Sequence, residues 1–230
     1  MTMNRHPRRA VLKSALAGVA GTAASAMVNA CGSSPVTSPA GGSASRSAAA
    51  TSSSGGRTVL LAYFSRAGEN YFNGGRRRLT VGNTEVVAGY ISRLIGCEVH
   101  KIEAVDPYPD EYQPTVERNL QEQRGDARPG IANPLTSIDG YDTILLGSPI
   151  WNVRAPMIMT TLVEGLDFTG KTIHPLTTHA MSGLGTTERD YAASCPGARL
   201  GEGLAVRGEE VADAEPAVDA WLRRIGLLTR

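Results

Sequence analysis

The chain has 230 residues, 41% of them hydrophobic and 20% charged, which suits one packed domain with extra segments. Residues 1–30 hold Arg5, Arg8, Arg9 and Lys13 and no acid, so the rest of the chain sets 19 basic against 22 acidic residues. That mild balance gives no ground for a nucleic-acid partner or for strong electrostatic steering, and no two of the three cysteines stand at CxxC or metal-ligand spacing.

The first segment reads as an address. Basic residues open it, and an apolar run rich in Ala and Gly follows over residues 14–30. The run is too short and too poor in large aliphatic residues for a membrane-spanning helix. Arg8-Arg9-Ala10-Val11-Leu12-Lys13 resembles a twin-arginine export signal, with an ordinary secretory signal as the alternative. Val28-Asn29-Ala30-Cys31 resembles a lipobox, although Asn29 and Val28 depart from its usual residues. Cys31 is then either a lipid anchor or a free thiol after cleavage at Ala30. Residues 31–56 are almost entirely Ser, Gly, Ala, Thr and Pro and form a flexible tether. The expected organisation is an export signal at 1–30, a tether at 31–56 and a folded domain at 57–230. The expected location is the cell envelope, with a lipid anchor to the outer face of the cytoplasmic membrane left open.

From residue 57 strand and helix patterns alternate. The apolar run 58–64 predicts a strand covered on both faces. Val86, Val87, Tyr90, Ile91 and Leu94 recur at helical spacing and predict a helix over 83–95. A strand at 98–103, a polar helix at 110–123, a buried strand at 143–147 and a helix at 155–166 follow. A strand at 171–178, a helix at 185–194, a strand at 200–206 and a helix at 213–225 complete the domain. Five strands interleaved with helices predict a doubly wound α/β fold with a parallel sheet. Ligands of such sheets sit beyond the carboxyl ends of the strands, where the strand order reverses. The loops after the first, third and fourth strands are therefore the places to look.

The first loop, Ser65-Arg66-Ala67-Gly68, precedes the helix that begins near Gly82-Asn83-Thr84. Small and hydroxyl residues before a helix N-terminus suit a phosphate. Neither the dinucleotide glycine fingerprint nor the P-loop is present. The second loop runs Gly147-Ser148-Pro149-Ile150-Trp151-Asn152-Val153. An indole at this position can lie against a flat conjugated ring. The third, Thr178-His179-Ala180-Met181-Ser182-Gly183-Leu184-Gly185, is small enough for backbone to approach a ring edge.

These three loops together resemble the flavodoxin-like family, from residue 57 to about residue 225. The resemblance implies a five-stranded sheet in the order 2-1-3-4-5 and FMN as cofactor. It implies that Ser65, Arg66, Asn83 and Thr84 hold the phosphate, with Ala67 and Gly68 completing that loop. Pro149, Ile150, Trp151, Asn152 and Val153 would line the isoalloxazine, and Thr178, Ser182, Gly183 and Gly185 would approach its other edge. No catalytic side chain and no metal are implied.

Two departures stand out. Residues 69–81 separate Ser65-Arg66 from Asn83-Thr84, where the family usually runs straight on, so Asn70 and Asn83 compete for the phosphate role. The helix start favours Asn83. Arg76-Arg77-Arg78 within the insertion read as a solvated loop, or as a clamp for an anionic substrate or nicotinamide phosphate. The third loop also lacks the second aromatic of many flavodoxins, which leaves one ring face open and suits hydride transfer.

The expected function is an FMN-dependent oxidoreductase taking electrons from a reduced donor, NAD(P)H among them, to a small acceptor such as a quinone. A flavodoxin-type electron carrier served by a redox partner protein and a flavin-free tethered module are the alternatives. A homodimer is left open. His174 and His179 read as structural or solvent-exposed and Asp110-Glu111 and Met157 with Met159 as structural; Cys97 and Cys195 read as ordinary thiols, with a disulfide between them in an oxidising compartment as the alternative.

Overall fold

The computed structural model describes residues 58–229. The signal and tether, Cys31 included, lie outside the described residues.

The first strand, β1 (Val59–Phe64), alternates its side chains between two cores. Leu60, Ala62 and Phe64 enter one, and Leu61 and Tyr63 enter the other. A strand apolar at every position has to be covered on both faces, and that is where β1 sits. It pairs in parallel with β4 (Glu98–Ile102) on one side and β5 (Thr143–Pro149) on the other. β5 pairs with β6 (Thr172–His179), again in parallel. The edge beyond β6 comes in two pieces, β7 (Arg199–Leu200) and β8 (Leu204–Arg207). Taking these two as the fifth strand, the order is the expected 2-1-3-4-5.

The break between β7 and β8 falls where the Glu202 carbonyl leaves the ladder. It accepts from His174 Nδ1–H at 2.9 Å and from Trp221 Nε1–H at 3.1 Å. Two buried ring donors are thereby satisfied, which a continuous ladder would leave to find other acceptors.

Helices cover both faces. α1 (Asn83–Ile95) buries Thr84, Val87, Ala88 and Ile91, the spacing of a single helix stripe, and ends at Gly96 in the left-handed region. α5 (Glu215–Arg224) buries Val218, Trp221 and Leu222 beside it. On the other face α3 (Met157–Glu164) and α4 (Thr187–Ser194) pack through Ile158, Met159, Leu162 and Tyr191. α2 (Tyr112–Arg124) lies toward the same side, and a 3-10 helix (Gly208–Asp213) links β8 to α5. Cys195 belongs to the α3–α4 core and Cys97 packs on the α1–α5 core, so the sheet separates the two free thiols. Burial pushes the Cys195 thiol up to about 12.

Residues 69–81, expected as an irregular insertion, contain a β-hairpin. β2 (Gly68–Phe72) and β3 (Gly75–Leu79) pair antiparallel in a sheet of their own. The turn is Asn73-Gly74, both at positive φ (47° and 83°), which matches the right-handed twist of the strands. Among the described residues no helix is long and apolar enough to cross a membrane.

Candidate functional site

A cavity of about 390 Å³ opens at the carboxyl ends of β1, β5 and β6. Its polar end is built where β1 meets α1. Gly82 is pressed between the halves of this cradle: a Cβ there would lie 2.3 Å from Ser65 Oγ and 2.6 Å from the Arg66 carbonyl. Ser65 Oγ accepts the Glu85 N–H at 3.1 Å. The N–H groups of Asn83 and Thr84 have no acceptor within their own helix, as at any helix start. Below them the Thr84 and Thr178 hydroxyls meet at 2.8 Å, both side chains buried, so β6 reaches the first turn of α1.

Arg66 lines the same end but is committed to backbone. Its Nη1 donates to the carbonyls of Pro109 at 2.9 Å and Asp110 at 3.1 Å, and its Nη2 donates to the Glu69 carbonyl. Burial lowers its pKa from the usual range, and Asp110 and Glu69 oppose that shift. It contributes positive potential and a brace between loops, with its terminal nitrogens already occupied.

The aromatic end is set by the loop after β5. Trp151 and Arg154 exchange backbone hydrogen bonds at 2.9 and 3.4 Å, closing a tight turn. Its inner residues Asn152 and Val153 sit at φ 49° and 65°. A β-branched residue there is strained. The Trp151 ring meets Phe64 edge-on at 5.7 Å and Tyr108 at 5.1 Å, so the indole is fixed while still lining the cavity. Gly185 passes directly over this turn: a Cβ on it would stand 2.3 Å from the Val153 carbonyl, and its φ is 57°.

Of the residues expected from sequence, Ser65, Arg66, Asn83 and Thr84 line the cavity at its polar end. Pro149, Ile150, Trp151, Asn152 and Thr178 also line it. Thr178 meets Thr84 at the polar end. Ala67, Gly68, Val153, Ser182, Gly183 and Gly185 are not part of the lining. Gly68 is turned against the Asp110 backbone. Val153 is exposed, its carbonyl accepting from Thr186 N–H at 2.9 Å. The third loop folds on itself, with Gly185 N–H donating to the Ser182 carbonyl at 2.8 Å. Its next residue, Thr186, ties it to the second loop.

Asn70, the competing phosphate candidate of the sequence, also lines the cavity; the other lining residues were not assigned to the site from sequence. Asn70 and Tyr71 come from the hairpin, and Tyr112, Thr115, Val116 and Asn119 from α2. Gly208 and Glu209 come from the 3-10 helix, and His179, Ala180 and Met181 follow β6. The hairpin was legible in Asn73-Gly74, a strong short-range turn signal. The α2 and 3-10 contributions carry no local signal. His179, expected as structural or solvent-exposed, lines the cavity with a buried Nδ1 that makes no hydrogen bond within the protein. Burial lowers its pKa below 6.5, Arg207 lowers it further, and Glu209 and Glu210 oppose. Among the described residues no cluster of three metal-ligating side chains occurs.

Arg76 and Arg78 lie against the start of α2. The Arg76 guanidinium stacks 3.5 Å over the Tyr112 ring, and Arg78 pairs with Asp110 at 3.0 Å where both are exposed. Arg77 lies 4.8 Å over Phe72.

Comparison with known proteins agrees with this architecture. A protein from Bacteroides eggerthii DSM 20697, assigned as a flavoprotein, superposes with a TM-score of 0.57 at 25% identity, covering 74% of this chain and 98% of its own. A counterpart from Bacteroides uniformis ATCC 8492 superposes at 0.56 with 24% identity, covering 74% and 99%. No curated protein matches the chain. Residues 77–225 match the flavodoxin family, and that match spans well over half the sequence: the chain belongs to the flavodoxin family.

Proposed function

We propose that the cavity binds FMN and that the protein uses it to pass electrons or hydride from a reduced donor to a small acceptor such as a quinone. The observation that carries this reading is the joining of two unlike ends in one cavity. Helix-start amides and paired threonine hydroxyls suit a phosphate, and an immobilised indole suits a planar ring. Gly82 keeps the polar end open to the backbone, since any side chain there would fill the cradle. The fit is therefore a property of these residues, and the likeness to flavoproteins supports it.

When bound, FMN supplies the redox chemistry, and the protein's part is placement and electrostatics. Asn83 and Thr84 N–H groups and the α1 dipole receive the phosphate. Arg66 adds positive charge without leaving its carbonyl partners. Trp151, wedged by Phe64 and Tyr108, offers a fixed apolar surface, and Tyr71 and Tyr112 enclose the cavity from the hairpin and α2. No covalent catalyst is required.

The electron-carrier alternative has one observation in its favour. Met181 is 82% exposed and Val153 55% exposed, two apolar side chains at the rim that a partner protein can cover. Anaerobic titration of the purified yellow protein with NADH and NADPH decides between them. Rapid bleaching of the flavin absorbance supports the enzyme. Inertness to both, with reduction by a partner protein, supports the carrier. A preparation that takes up no FMN defeats both. Export through residues 1–30 and lipid attachment at Cys31 belong to the same proposal.

A further inference from the structure

The hairpin interrupts the cradle. It leaves the chain after Arg66 and returns before Gly82, between the two halves of the polar end. Among the described residues β2 and β3 share ladder hydrogen bonds with each other and not with the main sheet. The hairpin's position is therefore set by its attachments.

Its root is tied several times. Glu69 N–H donates to the Asp110 carbonyl at 2.7 Å, and Glu69 Oε2 accepts from Tyr112 N–H at 3.1 Å. Arg78 pairs with Asp110 there, and nearer the turn, opposite Tyr71, Arg76 stacks on Tyr112. From the turn, one hydrogen bond to another element is found among the described residues: Asn73 N–H donates to Glu209 Oε1 at 3.1 Å. The Glu209 side chain is 7% exposed, and its Oε2 lies 3.9 Å from Arg207 Nε without a hydrogen bond. The 3-10 helix that carries it packs Gly208 against the Asn83 side chain, beside the start of α1. Asn70, Tyr71 and Glu209 all line the cavity. The hairpin thus runs from α2 across the polar end to the 3-10 helix, held along β3 by α2 and at its turn by Glu209.

We propose that Glu209 is a positioning residue that latches the β2–β3 hairpin over the polar end of the cavity and so sets how fast a phosphorylated ligand enters and leaves. The role rests on reach and acceptance, not on charge: a Gln at 209 keeps an acceptor oxygen at the same distance, and an Asp keeps the charge but falls one methylene short.

The second half of the proposal rests on the FMN reading, and the experiment separates the two. Amide hydrogen exchange of the apoprotein reads the latch without any ligand. E209A and E209D are expected to speed exchange over residues 69–79 up to about tenfold, the scale of one lost hydrogen bond, with β1, β5 and β6 unchanged. E209Q stays within about twofold of wild type. Stopped-flow mixing of apoprotein with FMN, followed by flavin fluorescence, reads the consequence. E209A and E209D accelerate association and release together, so that Kd moves less than about threefold, and E209Q again follows wild type. Wild-type hairpin exchange rates in both E209A and E209D overturn the latch whether or not FMN binds. So does a faster-exchanging hairpin with unaltered association. Absence of FMN uptake by wild type defeats the FMN reading and leaves the exchange result to decide the latch.

Discussion

Gln123, in the last turn of α2, holds the Trp151 loop with both ends of its amide. Its Nε2 donates to the Trp151 carbonyl at 3.1 Å, and its Oε1 accepts from Asn152 Nδ2 at 3.0 Å. A strained turn at φ 49° and 65° is thereby fastened to a helix across 28 residues of sequence. Replacing Gln123 with Ala removes both bonds. Stability in urea is expected to fall by about 1–3 kcal/mol, at roughly 0.5–1.5 per bond, and FMN affinity to fall with it. Glu at this position keeps the acceptor for Asn152 and loses the donor to Trp151, and should fall between the two.

The Thr84–Thr178 hydroxyl pair gives a double-mutant cycle. T84V or T178V leaves one buried hydroxyl without its partner, at about 1–3 kcal/mol each. The double variant should cost less than the sum, because neither hydroxyl is then orphaned. Ligand selectivity gives a second readout. T84V should weaken FMN more than riboflavin, which lacks the phosphate, when both are measured by fluorescence titration.

Gly185 tests the contact between the second and third loops. A methyl group there meets the Val153 carbonyl at 2.3 Å and also requires a side chain at φ 57°. G185A is expected to lose about 2 kcal/mol or more, with a shift in Trp151 fluorescence as its turn is displaced. A variant with wild-type stability and emission would show that the loops do not meet in this way.

Two imidazoles predict the pH dependence of stability between the neutral range and the carboxylate range. Burial lowers the pKa of both His100 and His179 below 6.5. The unfolded chain then binds protons that the folded chain refuses. Their contribution is fully present above about 6.5 and is lost as pH falls from there through the native values, by at most about 1.4 kcal/mol per proton per pH unit. Urea unfolding between pH 5 and 8 should show stability rising with pH, and H179N should flatten the slope. Equal slopes in wild type and variant would contradict the assignment for His179.

Lipid attachment predicts a simple fractionation result. C31S should move the chain from the membrane pellet to the aqueous fraction while leaving the folded domain intact. If the wild-type chain is already in the aqueous fraction, Cys31 carries no anchor.

The alternation of strand and helix was legible because each pattern is local. The run from Val59 to Phe64 is apolar at every position, and Val86, Val87, Tyr90, Ile91 and Leu94 recur with the helix period, of which Val87 and Ile91 are fully buried. The helix at 83–95 and the fold order follow from such patterns and from the handedness of crossovers. The Asn73-Gly74 turn signal is equally local, but the three arginines beside it read as a solvated loop. The split of the fifth strand was not legible: it answers to ring nitrogens on β6 and α5 that no window around residue 202 contains.

What the sequence determined by itself was the sheet, its faces and the two loops whose residues differ most from ordinary turns, Ser65-Arg66 and Pro149 to Asn152. What only the tertiary structure decided was which further segments close the cavity. Glu209, Tyr112 and Tyr71 lie more than 130 residues apart at the extremes and share its wall because three separate crossovers return to one rim. A residue's chemistry is written in its own side chain, but its membership of a site depends on contacts made by distant chain, and those form only when the cores on both faces of the sheet are packed.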